Sequence, residues 1–327
     1  MKKKYIILFL ILIVAFIGFF ADAQIIRNTD VILSISPQYP NPGQEITATL
    51  SSHTVNLEKA NIVWMVNGEQ LNGGIGKKSF SFTVGNLGST TSLSVTAETA
   101  NAQTIVKTMT ITPANVDMLW EAYDAYVPPF YKGKVLAPSQ GIFKVVAMSN
   151  LVNQYGKVNM NNLSYAWEKD GSVQTKSSGW GKNYLIFQNS YLDKENTAEV
   201  RVSDLSGTTN ASGKITLKTF TPKIIFYEND PALGIKWENA LENGFSLNTE
   251  GKILNVEPYF FSPKDITSSN LSFEWFLNGT KIETPEPKNV LSIKPEAGKS
   301  GSANIKVAIN NVKTLFQSLE KKLSVNF

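Results

Sequence analysis

Alternating polar and apolar positions recur along most of the chain and predict β-strands. In the stretch that ends at Trp167, every second residue from Leu163 is large and apolar, and the same holds for the stretch from Leu271 to Trp275. Successive side chains of a strand point to opposite faces, so such residues share one face. Comparable alternation upstream, as from Ile142 to Ala147, predicts further half-buried strands. The pattern therefore indicates an all-β chain.

One short pattern occurs three times and predicts an internal repeat. A tryptophan is followed three residues later by Asn-Gly or Asp-Gly, and the tryptophans are spaced by 103 and 108 residues. The pairs of tryptophan and turn residue are Trp64 with Asn67, Trp167 with Asp170, and Trp275 with Asn278. Both dipeptides suit a type I′ hairpin turn, because both residues tolerate positive φ. We therefore expect each tryptophan on a strand with its ring in the core.

Each copy of the repeat resembles the immunoglobulin-like superfamily, particularly its PKD-like and bacterial Ig-like surface modules. The stretch from Phe80 to Gly88, leading into Leu93, looks like the E–F region of such modules. The resemblance implies three tandem Ig-like (PKD-like) β-sandwiches, which we expect at residues 24–113, 114–222 and 223–327. The turn is reduced to the bare Asn-Gly or Asp-Gly, and the disulfide of antibody domains is absent because the chain has no cysteine.

The first 23 residues predict a signal peptide or a membrane anchor. Three lysines precede an uncharged apolar run from Tyr5 to Phe20, and Ala21-Asp22-Ala23 offers small residues for cleavage. The apolar run also reaches the lower edge of the roughly 17–25 residues that span a membrane, so an uncleaved transmembrane helix is the alternative interpretation. Either alternative directs the rest of the chain out of the cytoplasm, to the cell envelope or the extracellular space.

The composition of the chain limits the kinds of functional site that it can form. The absence of cysteine excludes disulfides and thiolate metal sites, and a single histidine, His53, cannot make a usual zinc site. The net charge is +4, and three lysines and one aspartate lie in residues 1–23, so the remaining chain carries +2. Such a nearly neutral chain has no broad attraction for nucleic acid. No catalytic or phosphate-binding motif occurs, so we predict neither an enzyme nor a cofactor.

Aromatic residues close to acidic ones open both the second and the third predicted domains, at residues 119–131 (the aromatic segment) and at residues 225–231, and three interpretations compete. The rings could pack the joint between domains, form a platform for a sugar ring or a partner peptide, or accompany a calcium site. Trp180, flanked by two glycines, could be a contact residue or fold back onto its own domain. The candidate contact residues are Trp120, Tyr123, Tyr126, Phe130, Tyr131 and Trp180. The candidate calcium ligands are Glu121, Asp124, Glu228 and Asp230.

Together these features predict a non-enzymatic extracytoplasmic interaction or spacer protein that contributes to adhesion or to assembly of a surface structure. The expected partner is a protein or a glycan at the cell surface, with membrane contact through the N-terminal segment. Two alternatives remain. One is a carbohydrate-binding adhesin that uses exposed aromatics, and the other is a purely structural, membrane-anchored stalk.

Overall fold

The computed structural model describes residues 30–153, 156–207, 209–314 and 316–327. The predicted signal peptide or anchor in residues 1–23 lies outside the described residues. Within the described part of the chain, no helix has the length and apolar character needed to cross a membrane. The chain divides into two compact units. The first holds the described residues up to 38 with 45–83 and 91–111, and the second holds 39–44, 84–90 and 112–327.

The first unit is a pair of antiparallel sheets, one ordered β1-β2-β5 and the other β4-β3-β6-β7. Its strands are β1 (Val31–Ser36), β2 (Glu45–Ser52), β3 (Asn61–Val66), β4 (Glu69–Ile75), β5 (Ser79–Thr83), β6 (Thr91–Glu98) and β7 (Thr104–Ile111), with a 3-10 turn at Leu57–Lys59. Alternate residues of β2 are buried, and the ring of Trp64 on β3 lies 6.1 Å from that of Phe80 on β5. The two sheets therefore enclose one core.

The second unit begins with another pair of sheets, ordered β15-β9-β8 and β13-β12-β16-β17, with β14 paired to β12. The strands are β8 (Asn115–Ala122), β9 (Ile142–Asn150), β10 (Val152–Asn153), β11 (Gly156–Lys157), β12 (Ser164–Lys169), β13 (Ser172–Val173), β14 (Gly179–Trp180), β15 (Tyr184–Gln188), β16 (Glu195–Ser203) and β17 (Asn210–Lys218), with a 3-10 turn at Met160–Asn162. Strands β10 and β11 form a separate small hairpin. Phe143, Tyr165 and Trp167 lie in the core between the two large sheets.

A further pair of sheets completes the second unit, ordered β19-β18-β21-β24 and β20-β26-β25-β22-β23. The strands are β18 (Lys223–Asp230), β19 (Gly234–Leu241), β20 (Gly244–Ser246), β21 (Lys252–Tyr259), β22 (Leu271–Leu277), β23 (Thr280–Ile282), β24 (Val290–Ile293), β25 (Ser302–Asn311) and β26 (Ser318–Asn326). Phe226 and Trp275 lie in its core. The described chain is thus all-β, and we call its three pairs of sheets the first, second and third sandwich. That each pair is a separate Ig-like domain stays a prediction. The boundaries at 113/114 and 222/223 stay predictions.

The repeated turn has the geometry that its sequence predicts. Asn67, Asp170 and Asn278 have φ of 52°, 49° and 48°, and the glycine after each is also at positive φ, as a type I′ turn requires. The turn residue also binds the neighbouring strand of its own sandwich. Its side-chain oxygen accepts a backbone N–H, and the pairs are Ser92 to Asn67 at 2.9 Å, Thr197 to Asp170 at 2.7 Å and Asn304 to Asn278 at 2.8 Å. The turn residue therefore links two strands of one sheet.

The three tryptophans of the repeat are buried, with 0, 0 and 1% of their surface exposed for Trp64, Trp167 and Trp275. Each indole N–H donates to the backbone carbonyl of a lysine. The pairs are Trp64 with Lys77 at 2.8 Å, Trp167 with Lys182 at 2.9 Å and Trp275 with Lys288 at 2.8 Å. A buried indole N–H needs an acceptor, so this hydrogen bond fixes the ring as well as satisfying it.

We expect Asn278→Ala to lower the free energy of unfolding by about 1–2 kcal/mol. The substitution removes the hydrogen bond from Asn304 and places alanine at positive φ. Asn278→Asp should keep most of the stability, because Asp170 makes the same contact in the second sandwich. Chemical denaturation of both variants measures the difference. Equal loss in the two variants would show that the side-chain hydrogen bond contributes nothing.

Candidate functional site

The aromatic segment between β8 and β9 lies where the second and third sandwiches meet. The central contact between the two sandwiches is made by the main chain of Tyr126. Its N–H donates to the carbonyl of Phe261 at 2.7 Å, and its carbonyl accepts from the N–H of Phe260 at 2.7 Å. This exchange of two hydrogen bonds resembles one step of a β-ladder. The backbones of the two sandwiches are therefore joined directly at this residue.

The side chain of Tyr126 completes a buried polar network. Its hydroxyl donates to the carboxylate of Glu257, and the amide of Asn255 donates to the other carboxylate oxygen. Glu257 and Asn255 are each only 3% exposed, although both lie on the side of β21 opposite the core residues Leu254 and Val256. A carboxylate in this position needs its hydrogen bonds, because water does not reach it. Tyr126 thus supplies from the second sandwich what Glu257 of the third requires.

Burial sets the electrostatics of this network. Burial raises the pKa of the Glu257 carboxyl, and the hydrogen bonds from Tyr126 and Asn255 oppose that shift. Burial first, and then the hydrogen bond to Glu257, raise the pKa of the Tyr126 hydroxyl above its usual range. The pKa of Tyr259 is likewise raised, mainly by burial and then by its hydrogen bond with Tyr227. The phenols therefore stay neutral donors at physiological pH.

Aromatic rings extend the joint on one side. The ring of Tyr131 meets those of Tyr259 and Phe260 edge-on, at centroid distances of 5.8 and 5.9 Å. The hydroxyl of Tyr259 lies 2.7 Å from that of Tyr227, whose ring is 5.2 Å from that of Trp237. Edge-to-face pairs of this kind add about 0.5–1.5 kcal/mol each beyond the area they bury.

A second group of contacts centres on Gln317, which is fully buried. Its amide N–H donates to the carbonyl of Ser139 in the second sandwich at 2.9 Å. Its carbonyl oxygen accepts from the N–H of Ser262 at 2.8 Å and lies 3.3 Å from the amide nitrogen of Asn311. Tyr191 and Phe316 stack nearby at 5.3 Å, again one from each sandwich. The joint is therefore held through several segments of both sandwiches.

The six candidate contact residues differ in how far they are exposed to solvent. Tyr126 and Tyr131 lie in the joint, and Trp120 is half-buried against Phe143 with the ammonium of Lys134 at 3.6 Å from its ring centroid. The other three are open to solvent, with exposed fractions of 52% for Tyr123, 84% for Phe130 and 47% for Trp180. Ligand contact by these residues stays a prediction, and the exposed three are the ones available for it.

The structure does not bring the four candidate calcium ligands together. Asp124 accepts the backbone N–H of Ile142 at 2.9 Å, and Glu228 lies between the ammonium groups of Lys236 and Lys252 at 2.7 Å each. Asp230 accepts two backbone N–H groups of the turn that follows it. Hydrogen bonds from the two lysines lower the pKa of Glu228. Among the described residues, no group of three or more acidic, histidine or cysteine side chains could hold a metal ion.

We expect calcium to leave the melting temperature unchanged, because the carboxylate of Glu228 already has two lysine partners. Scanning calorimetry with 5 mM calcium chloride, with a chelator and with neither tests this expectation. A rise in melting temperature with calcium that Glu228→Gln abolishes would restore the metal interpretation.

Several residues of the joint are not predictable from the sequence pattern. Period-2 alternation predicts Glu257 on the outer face of its strand, which is where the structure has it. Nothing in the pattern indicates that another sandwich covers that face. Gln317, in a loop between β25 and β26, carries no sequence signal for its role, apart from its position in the last loop of the third sandwich.

No protein family and no curated protein matches this chain. Among solved structures, the chain is similar to the fibronectin(III)-like modules of Clostridium thermocellum CbhA, with 11% identity, a TM-score of 0.27 and coverage of 57% of this chain and 94% of that one. It is similar to three N-terminal domains of the outer capsid protein Hoc of bacteriophage RB49, with 13% identity, a TM-score of 0.26 and coverage of 90% and 98%. It is also similar to immunoglobulin domains 1–4 of Sidekick-1, with 11% identity, a TM-score of 0.23 and coverage of 90% and 74%. The assignment of the fold rests on the strand pairing itself.

Proposed function

We propose that this protein is a non-enzymatic spacer and interaction protein outside the cytoplasm, contributing to adhesion or to assembly of a surface structure. The observation that carries the proposal is the joint between the second and third sandwiches. A spacer must hold its domains in a fixed relation, and here Tyr126, Glu257 and Gln317 link the two sandwiches by main-chain and buried side-chain hydrogen bonds.

The energetics of the joint support this role. Bending the joint would expose the carboxyl group of Glu257 or leave it without the hydroxyl of Tyr126, and an unsatisfied buried hydrogen-bonding group costs about 1–3 kcal/mol. It would also separate the stacked rings of Tyr191 and Phe316. Inter-domain interfaces within one chain are commonly mobile. Buried polar contacts at this density favour a fixed arrangement instead.

A cleft in the third sandwich supports a non-enzymatic role. It measures about 480 Å³ and is lined largely by aliphatic side chains, among them Leu247, Leu291 and Val325. Its charged lining residues are Lys294, Glu296 and Lys299, and the last two form an ion pair with each other. Catalytic sites bring together ionisable groups with shifted pKa values in a polar pocket, and this cleft offers an apolar wall instead.

The N-terminal sequence supports the location. Residues 1–23 carry the basic, apolar and small-residue regions of an export signal or anchor. The absence of cysteine makes the fold independent of the redox state of the compartment.

The fixed joint can be measured directly with spin labels. The chain has no cysteine, so Thr175→Cys and Thr280→Cys place one label on each sandwich at exposed positions. We expect a single narrow distance distribution by pulsed electron paramagnetic resonance. Adding Tyr126→Ala and Gln317→Ala should broaden it, whereas Leu205→Ser, an exposed site in the second sandwich, should not. A broad distribution in the otherwise unchanged chain would contradict the fixed joint.

The function is tested in cells that lack this protein. Wild-type chain should restore adhesion or surface assembly, and the variant with Tyr126→Ala and Gln317→Ala should fail although equal amounts reach the surface. Complete restoration by that variant would refute a spacer role. Loss of glycan-array binding with Phe130→Ser would favour the carbohydrate-binding adhesin instead, since Phe130 is the most exposed ring of the aromatic segment.

A further inference from the structure

Asparagine followed by glycine is a reactive dipeptide, and it occurs at several places in this chain. The glycine nitrogen can attack Cγ of the asparagine side chain, and glycine favours the attack because it has no Cβ to obstruct it. Whether a given dipeptide reacts in the folded protein depends on how the two atoms are held. The dipeptides begin at Asn67, Asn72, Asn243 and Asn278.

Two of these asparagines lie in the repeated hairpin turn, where the side chain is held by the neighbouring strand. The side-chain oxygen of Asn67 accepts the N–H of Ser92 at 2.9 Å, and the N–H of Asn67 donates to the carbonyl of Ser92 at 2.8 Å. Asn278 makes the same two hydrogen bonds with Asn304, at 2.8 and 2.9 Å. Reaction at either asparagine therefore requires that the hydrogen bond of its side chain break first.

The side chain of Asn72 has a different partner. Asn72 lies within β4, and its side-chain oxygen accepts the N–H of Gly73, the next residue, at 2.8 Å. Cγ is bonded directly to that oxygen, so the nitrogen of Gly73 lies near the roughly 3–3.5 Å separation from which bound atoms react. The folded chain thus holds the attacking nitrogen beside the carbon that it attacks.

The surroundings of Asn72 permit the reaction. Strand β4 is the last strand of its sheet, so one of its edges has no strand beside it in that sheet. Gly73 is exposed, which admits the water and the base that the reaction needs. The register between β3 and β4 shifts beside Asn72, between Trp64 and Met65. Such a bulge interrupts the ladder, and it leaves the backbone free to rotate as the ring closes.

The remaining dipeptide, Asn243 with Gly244, is more restricted. Gly244 lies so close to the backbone of β26 that an added Cβ would be 2.7 Å from the carbonyl oxygen of Ser324. Ring closure moves the main chain of the glycine, and this contact opposes that movement. Asn72 is therefore the asparagine that the fold leaves best placed to react.

We propose that Asn72 is a site of spontaneous modification, at which the side-chain amide is converted to isoaspartate and aspartate. The nitrogen of Gly73 loses its proton and forms a bond to Cγ, while the bond from Cγ to Nδ2 breaks. The side-chain nitrogen leaves with that proton as ammonia, and a five-membered succinimide ring remains. Water then opens the ring. Addition at Cγ gives aspartate, and addition at the main-chain carbonyl carbon gives isoaspartate.

The modification changes the edge of the first sandwich. Each conversion adds a negative charge, and isoaspartate also inserts a methylene group into the main chain. Asn72 pairs with Trp64, whose ring is fully buried. An added methylene group at this position weakens the pairing of β4 with β3, because the ladder needs regular spacing along both strands. The modified fraction therefore grows with the age of the molecule and loosens β4.

The test incubates the purified full chain in mildly alkaline buffer and follows each asparagine by peptide mapping with mass spectrometry. We expect conversion of Asn72 to be at least fivefold faster than that of Asn67 or Asn278. Fragmentation that separates isoaspartate from aspartate should show both products at position 72. In urea the three asparagines should react at similar rates, because they share the dipeptide and the folded geometry is lost.

The matched control is Asn72→Gln, whose longer side chain disfavours closure of a five-membered ring. This variant should stay unmodified at position 72 under the same incubation. Hydrogen exchange then reports the effect on the strand. We expect the backbone amides of β4 to exchange faster after incubation of the unchanged chain, and to exchange at a constant rate in Asn72→Gln.

Three results would overturn the proposal. They are equal conversion of Asn72 and Asn67 in the folded chain, the same order of rates in urea as in the folded chain, and aspartate without isoaspartate at position 72. The second would assign the difference to neighbouring sequence, and the third would exclude the ring. The spacer role is tested separately, at the joint between the second and third sandwiches.

Discussion

Replacing Trp167 with alanine is expected to destabilise the second sandwich by about 3–5 kcal/mol, the usual cost of removing a large aromatic side chain from a core. The ring is fully buried between the two sheets, with Tyr165 and Phe143 in the same core. Its loss leaves a cavity and leaves the carbonyl of Lys182 without its indole donor. A loss of this size is comparable with the whole stability of a small domain.

Trp180→Ala is the matched control, because Trp180 lies in the same sandwich but is 47% exposed. We expect it to change the free energy of unfolding by less than about 1 kcal/mol. Far-ultraviolet circular dichroism during urea unfolding compares the variants without relying on tryptophan fluorescence. Equal effects of the two substitutions would contradict the assignment of Trp167 to the core.

Lowering the pH from 7 towards the unfolded-state pKa of Glu257 is expected to raise the contribution of this carboxyl group to the free energy of unfolding. Burial raises the pKa of Glu257 in the folded protein. The folded state therefore binds a proton more tightly than the unfolded state, in which the carboxyl has a pKa of about 4.3. The resulting stabilisation is full below the unfolded pKa and is lost as the pH rises through the folded pKa.

The groups around Glu257 set the direction of this effect. The polar groups that face it are the hydroxyl of Tyr126 and the amide of Asn255, and Tyr259 lies next along the strand. Both tyrosines stay neutral in this range because burial raises their pKa values. Carboxyl groups with lowered pKa values, such as Glu228, have the opposite effect: their contribution to the free energy of unfolding is lost as the pH falls. That loss occurs at more acidic pH, as the pH falls through their folded-state pKa values.

Glu257→Gln should remove the part of the pH dependence that Glu257 contributes, because an amide does not titrate. The expected readout is the unfolding free energy of the full chain at several pH values, with Glu250→Gln at an exposed site as the control. Tyr126→Phe removes the hydroxyl donor and leaves a buried oxygen of Glu257 without one of its hydrogen bonds, which should cost about 1–3 kcal/mol. An unchanged pH profile in Glu257→Gln would contradict the raised pKa.

Local features of this protein are determined by its sequence. Alternation of polarity predicts which face of a strand is buried, since side chains alternate whatever the strand packs against. It places Trp64, Trp167 and Trp275 in cores, where the structure has them. The Asn-Gly and Asp-Gly dipeptides predict their turns because few residues adopt positive φ. The hydrogen bond from each turn side chain to a strand distant in sequence does not follow from the dipeptide.

Only the tertiary structure decides which surfaces are covered. Tyr126 and Phe130 belong to one aromatic segment, yet one is buried in the joint and the other is 84% exposed. Alternation places Glu257 and Leu119 on outer faces alike, although the third sandwich has its face covered and the second has its face open. Whether an outward residue meets water depends on how sandwiches pack, and that packing joins residues more than 100 positions apart, as Tyr126 and Glu257 show. A pattern of period two extends over one strand and carries no information at that range.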